Sequence, residues 1–75
     1  MDKIFEKKIG QNIRRLREEK CMTQEQLSAK LQTRNCDITR SALAKIEVGQ
    51  RHLYPDEIFH ICRILDITYD QIFGE

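Results

Sequence analysis

Apolar residues recur along this chain at intervals of three and four, the spacing that lines one face of an α-helix. Near the beginning, Phe5, Ile9, Ile13 and Leu16 follow this spacing and predict an amphipathic helix over residues 3–20. No segment alternates apolar and polar residues for long enough to predict a strand, and glycine and proline are scarce. The pattern therefore predicts an all-α protein.

Three further helix starts share one device, in which a threonine stands directly after one apolar residue and four positions before another. The threonine can cap a helix by accepting a backbone N–H, and the two apolar residues can pack together as a hydrophobic staple. Gln26 and Gln71 complete a capping box at the first and third starts, whereas Ala42 stands at that position in the second. The predicted helices begin after Thr23, Thr39 and Thr68 and cover residues 24–33, 40–48 and 69–73.

A fifth helix is predicted over residues 55–65. Pro55 suits the first helical position, and the two acidic residues that follow it favour the positive end of the helix dipole. Gly49 is predicted to end the helix before it, because glycine readily adopts the left-handed conformation found beyond helix ends. We therefore expect one five-helix domain over residues 1–75.

The length and the cysteines narrow the possible functions. A chain of 75 residues has room for one small core and little room for a substrate cleft. The three cysteines are an odd number and widely spaced, so they indicate neither a disulfide framework nor a metal site. Cys62 and His60 stand two positions apart on a predicted helix and point to different faces, so we expect no enzymatic activity and no cofactor.

The chain also lacks the apolar run of a signal peptide and any segment apolar enough to span a membrane. We therefore expect a cytoplasmic protein that does not associate with membranes.

Charge is unevenly divided along the chain. Residues 1–51 carry 12 Lys and Arg against 7 Asp and Glu, a net charge of +5. Residues 52–75 carry 1 Lys or Arg against 5 Asp and Glu, a net charge of −4, and the two parts sum to the chain's +1. This asymmetry indicates a basic face for a polyanion and a second surface that avoids it. The alternative is a chance distribution of solvated charges.

Three segments of the chain resemble, in this order, the helix-turn-helix proteins of the Cro/repressor (XRE-like) type. They are IGQNIRRLREEKCMTQEQLSAKL, ITRSALAKIEVGQR and ILDITYDQIF. The resemblance covers residues 9–73. It implies a compact, lambda-repressor-like DNA-binding domain of five helices, with the helix-turn-helix formed by the second and third.

The turn between those two helices departs from the common form of the family. A compact helix-turn-helix has a turn of three or four residues that often contains glycine, but no glycine stands between Leu31 and Thr39. The extra residues are predicted to extend the second helix through Gln32 and Thr33 and then to form a loop over residues 34–37. An enlarged turn of this kind leaves the angle between the helices open.

The resemblance implies that the third helix enters the major groove of double-stranded DNA. Leu43 and Ile46 are expected in the core, which leaves the opposite side of this helix for base contacts, and arginine and serine suit base edges. The predicted base-contacting residues are Arg40, Ser41, Ala44 and Lys45. The alternative is that these are ordinary solvated residues.

The resemblance also implies contacts outside the third helix. Gln24 is expected to bind a phosphate in the first turn of the second helix, and Arg51, with Arg34 and His52 as further candidates, to bind other phosphates. Arg17 and Glu47 are expected to form a structural ion pair between the first and third helices.

We expect a repressor that binds a palindromic operator as a homodimer, with no small-molecule ligand. The predicted dimer contacts are Tyr69, Ile72 and Phe73. The alternative function is a protein-interaction module, such as the partner-binding domain of an antitoxin, in which DNA binding is secondary or lost.

Overall fold

The computed structural model describes residues 2–74 and places them in five α-helices and no strand. The helices are α1 (Lys3–Glu19), α2 (Gln24–Thr33), α3 (Arg40–Glu47), α4 (Pro55–Leu65) and α5 (Tyr69–Phe73). Each helix end lies at the predicted residue or next to it, so the predicted all-α fold is confirmed. Within residues 2–74, no helix combines the length and the apolarity needed to cross a membrane.

The predicted threonine caps are present and explain where three helices begin. Thr23 Oγ1 accepts a hydrogen bond from the Gln26 amide at 3.0 Å, and the Gln26 side chain accepts one from the Thr23 amide at 2.9 Å. Thr68 and Gln71 form the same reciprocal pair. Thr39 caps α3 without the return bond, because alanine stands where the other two starts have glutamine. These bonds join near neighbours and therefore form wherever the local sequence allows them.

One hydrophobic core joins all five helices. α1 packs against α3 and α5, and α2 packs against α3 and α4. Fully burying a leucine or isoleucine contributes about 1.5–3 kcal/mol, so the central side chains supply most of the stabilisation. The largest of them are Ile13, Leu27, Leu31, Ile38, Leu43, Ile61, Leu65 and Ile72.

The first turn of α1 differs from the sequence prediction. Phe5 was predicted on the buried face, but it is 40% exposed and stacks on the ring of Phe73, with 6.3 Å between ring centroids. Glu6 is buried instead, and its carboxylate is bonded to His52 in the loop between α3 and α4. The prediction for Phe5 is wrong because position 6, not position 5, continues the face of α1 that meets this loop.

Two glycines allow close approaches that a side chain would block. A Cβ atom on Gly10 would lie 2.2 Å from the carbonyl oxygen of Ile46, so glycine is what lets α1 and α3 touch. Gly49 has φ of +79° directly after α3 and lies against the backbone of Lys7. It ends the helix as predicted.

The turn between α2 and α3 is enlarged, as predicted, and is hydrogen-bonded to α2 at both ends. Asn35 takes φ of +61°, the left-handed conformation that glycine commonly supplies at a helix end, and the Cys36 amide then donates to Leu31 O at 3.0 Å. Ile38 returns the chain to the core, where its carbonyl accepts a hydrogen bond from Ser28 Oγ at 2.8 Å. The loop is therefore closed back onto α2.

Candidate nucleic-acid interface

α3 turns one side into the core and the other to solvent. Leu43 and Ile46 are buried, as predicted. The opposite side carries the predicted base-contacting residues, of which three are exposed and the alanine is half-buried. They are Arg40, Ser41, Ala44 and Lys45.

Arg40 differs from every other arginine within residues 2–74 because its side chain has no partner. Each of the other six arginines contacts a neighbouring side chain. The pairs are Arg14 with Glu18, Arg15 with Glu19, Arg17 with Glu47, Arg34 with His60, Arg51 with Glu57, and Arg63 with the ring of Phe59. Ser41 and Lys45 likewise form no side-chain hydrogen bond or ion pair in this part of the chain. The guanidinium of Arg40 thus has all five N–H donors available for a ligand.

A buried ion pair anchors the far end of α3. Arg17 Nε and Nη2 donate to the Glu47 carboxylate at 2.8 and 3.0 Å, and the two side chains are 8% and 1% exposed. The third nitrogen of Arg17 donates to Met22 O at 2.7 Å. The hydrogen bond with Glu47 outweighs the opposing effect of burial and raises the pKa of Arg17 above its ordinary value. The pair fixes α3 to α1 and to the chain just before α2.

Gln24 joins the same cluster, a contact that the sequence did not predict. Its Nε2 atom donates to Glu47 Oε1 at 2.9 Å, so Glu47 binds α1 and α2 at once. The predicted phosphate contact of Gln24 stays a prediction. One hydrogen on Nε2 and the backbone N–H in the first turn of α2 are the groups that remain for it.

Arg51 lies in the loop between α3 and α4 and is held by Glu57 in the first turn of α4. Its Nη1 and Nη2 atoms donate to the two carboxylate oxygens at 2.9 and 3.0 Å, and Nη1 also donates to His52 O. Burial works to raise the pKa of Glu57, but the hydrogen bonds from Arg51 and from the Tyr54 amide outweigh it and hold that pKa below its ordinary 4.5. A phosphate would have to use the Nε–H or the remaining Nη2 hydrogen of Arg51, and this role stays a prediction.

The two further phosphate candidates also have partners. The exposed ring of His52 is bonded through Nδ1 to the buried carboxylate of Glu6. Arg34 Nε donates to Nδ1 of His60 at 3.1 Å, which joins the enlarged turn to α4. Both contacts were missed by the sequence reasoning, because they join residues 46 and 26 positions apart.

The predicted dimer contacts in α5 divide into two kinds. Tyr69 and Phe73 are exposed at the surface. Ile72 is 0% exposed, and its backbone carbonyl accepts a hydrogen bond from Asn12 Nδ2 at 2.8 Å, which ties α5 to α1. The prediction for Ile72 is wrong, because its side chain is fully buried in the core where α5 packs against α1 and so is not at the surface.

The cysteines form no cluster. Cys36 and Cys62 are buried, which raises the pKa of both thiols and keeps them protonated at neutral pH. Cys21 is exposed and takes φ of +55° where α1 ends. No group of three His, Cys, Asp or Glu side chains in the described chain is arranged to hold a metal ion.

Val48 is a surface residue of this region that the sequence reasoning did not select. It stands directly after the last residue of α3 and is 50% exposed. Its spacing of seven from Ser41 and four from Ala44 places it on the outward face of the helix. This helical spacing is the feature of the sequence from which the position of Val48 could have been predicted.

The fold and the outward face of α3 together define a small helix-turn-helix protein. The sequence model of the helix-turn-helix domain family matches residues 10–74, which is most of the chain. The chain belongs to this family. Neither the comparison with curated proteins nor the comparison with solved structures found a match.

Proposed function

We propose that this chain is a sequence-specific double-stranded DNA-binding transcriptional regulator that inserts α3 into the major groove. The observation that carries the proposal is the free, outward face of α3, where Arg40, Ser41 and Lys45 have no partner within residues 2–74. Arginine and lysine bind guanine in the major groove, serine serves several bases, and the methyl group of Ala44 suits an apolar contact.

The packing around α3 supports a fixed presentation of these side chains. The cluster of Arg17, Glu47 and Gln24 binds one end of α3 to α1 and α2. At the other end, Ser28 bonds the carbonyl of Ile38, the residue before the α3 cap. Both ends of α3 are thus bonded to neighbouring helices, which supports the fixed presentation that a base-reading helix requires.

The remaining contacts proposed here are with phosphates. Phosphate contacts set the register of a protein on DNA without reading its sequence, and backbone N–H groups at a helix start can supply them. We assign this role to Gln24 at the start of α2, with Arg51, Arg34 and His52 as flanking candidates. The net charge of +5 over residues 1–51 favours approach to DNA.

We also propose that the chain acts as a homodimer on a palindromic operator and represses by occupying it. A single short helix reads few base pairs, and two copies related by a two-fold axis read two half-sites about 34 Å apart. The exposed rings of Tyr69 and Phe73 are the candidate dimer contacts. Repression is the simpler mode of regulation because occupancy alone blocks a promoter.

Selection of bound duplexes from a randomised pool, followed by mobility-shift titration at several salt concentrations, tests the proposal. We expect one preferred sequence with two-fold symmetry, bound more weakly as salt rises. Arg40→Ala should lose the preference, whereas the control Arg63→Ala, which removes an exposed arginine of α4 that lies over the ring of Phe59, should keep it. A pool that yields no preferred sequence would reject the proposal.

A second candidate is a protein-interaction module, and the exposed aromatic residues after the helix-turn-helix favour it. Tyr54, Phe59 and Tyr69 are exposed in the acidic part of the chain. Aromatic side chains are enriched in protein interfaces. This function predicts an absence of any sequence-selective, salt-sensitive shift in the same titration, together with loss of partner binding in Tyr69→Ala.

A further inference from the structure

Val48 is the one exposed large hydrophobic residue between positions 6 and 53. The other exposed large hydrophobics of the described chain, beginning with Ile4 and Phe5, all lie before residue 6 or after residue 53. Single exposed apolar residues are ordinary on protein surfaces. This one is distinguished by its place, because it stands within the helix-turn-helix unit on the face that carries the free polar side chains.

The helical spacing puts Val48 in the middle of that face. At 3.6 residues per turn, its side chain falls between Ala44 and Ser41 in angle, with Arg40 on one side and Lys45 on the other. Val48 itself has φ of −102° and ψ of 5°, in the bridge region next to the helical one, but Glu47 before it is still helical, so the Cα atom of Val48 continues the path of α3. Ser41 and Val48 are separated by about 10 Å along the helix axis.

No local structural role accounts for an apolar side chain at this position. The helix is ended by the positive φ of Gly49, whose amide donates to Ile46 O at 3.1 Å, and this needs nothing from the side chain of Val48. Half of the valine is in water, so it adds little to the core. The side chain is therefore available to a ligand that lies along α3.

Among the groups that base pairs display in the major groove, the 5-methyl group of thymine is the apolar one. We propose that Val48 is a specificity-determining residue that contacts the 5-methyl group of a thymine, with α3 lying lengthwise in the groove. The inference rests on the proposed function and adds a base-reading residue to it. It also fixes the orientation of α3, because only a helix that lies along the groove brings both Ser41 and Val48 to base edges.

Replacement of each thymine of the selected duplex in turn by deoxyuridine tests this inference. The substitution removes the 5-methyl group and leaves the base-pairing edge unchanged. We expect one thymine whose replacement weakens binding of the unaltered protein about fourfold, the ratio that corresponds to burying one methyl group. Val48→Ala should bind the thymine duplex more weakly by a similar factor and should not distinguish thymine from deoxyuridine at that position.

Two controls separate the possible results. Ile4→Ala also removes an exposed branched aliphatic side chain, at the start of α1, and should keep the full response to deoxyuridine. Thermal unfolding of Val48→Ala checks that the variant is folded, and the deoxyuridine scan of the unaltered protein remains informative if it is not.

A selected duplex in which no thymine shows a methyl effect would overturn the inference and leave the proposed function intact. A methyl effect that persists in Val48→Ala would also overturn it, because another residue would then contact the methyl group. Failure to select any preferred duplex would reject the proposed function and the inference together.

Discussion

Removal of the Glu47 carboxylate should destabilise the protein strongly. Glu47→Ala would leave the guanidinium of Arg17, in a side chain only 8% exposed, without the carboxylate that accepts two of its three hydrogen bonds. Breaking one partner of a buried ion pair costs about 3–5 kcal/mol. Arg17 keeps the carbonyl of Met22, so we expect about 3 kcal/mol, a large part of the roughly 4–11 kcal/mol available to a domain of this size.

Thermal or urea unfolding of four proteins measures this effect: the unaltered chain, Glu47→Ala, Arg17→Met and the double variant. For a domain of this length, about 3 kcal/mol lowers the melting temperature by roughly 12–24 °C. The matched control is Glu19→Ala, which breaks the exposed pair with Arg15, whose side chains are 55% and 58% exposed. Exposed pairs contribute little, so this variant should lose under about 0.5 kcal/mol.

The double variant decides whether the pair acts as a unit. Once both charges are gone, no unpaired buried charge remains, so the double variant should lose clearly less stability than the sum of the two single variants. Losses that add to within about 0.5 kcal/mol would refute the reasoning. A loss in Glu47→Ala no larger than that in Glu19→Ala would refute it as well.

Three more variants test the rest of the account. Arg40→Ala should weaken binding to the preferred duplex by about 1–3 kcal/mol and should hardly change binding to random duplexes, as measured by anisotropy titration. If the two kinds of duplex lost the same affinity, Arg40 would instead contact a phosphate. Because the folded state holds the pKa of Glu57 below 4.5, the stabilisation that ionised Glu57 gives is fully present above pH 4.5 and is lost as the pH falls through the lowered pKa. Arg51→Met should therefore weaken the dependence of the free energy of unfolding on pH in the acid range, as measured by urea unfolding. An unchanged pH dependence would contradict the pairing. Gly10→Ala should lower the free energy of unfolding by about 1–3 kcal/mol, because the added Cβ would lie 2.2 Å from Ile46 O, and this clash outweighs the better helix propensity of alanine. Urea unfolding measures the effect, and an unchanged free energy would disprove the close approach.

The positions of the helices follow from the sequence alone because their signals are local. Thr23, Thr39 and Thr68 each bond an amide three residues ahead, and Pro55 and Gly49 act through their own backbone preferences. None of these effects needs a distant partner. The helix ends were therefore predictable to about one residue, and so was the enlarged turn.

The burial of individual side chains depends on what lies opposite them, and there the tertiary structure decides. Phe5 and Glu6 stand side by side in the sequence, but the loop that carries His52 covers the glutamate and leaves the ring outside. Ile72 and Phe73 are apolar neighbours in α5. The packing of α5 on α1 buries the isoleucine completely, whereas the phenylalanine stacks on Phe5 and stays 37% exposed.

The candidate site, too, was predictable in part from the sequence and was decided in part by the tertiary structure. Family resemblance and helical spacing selected the outward face of α3, including Arg40, from the sequence. Which cations are available for DNA was a question for the tertiary structure, because a charge count treats every arginine alike. Glu57 accepts hydrogen bonds from Arg51 and His60 accepts one from Arg34, whereas the side chain of Arg40 forms no hydrogen bond or ion pair within residues 2–74. Availability is thus set by the positions of acceptors in space, which the order of residues along the chain does not specify.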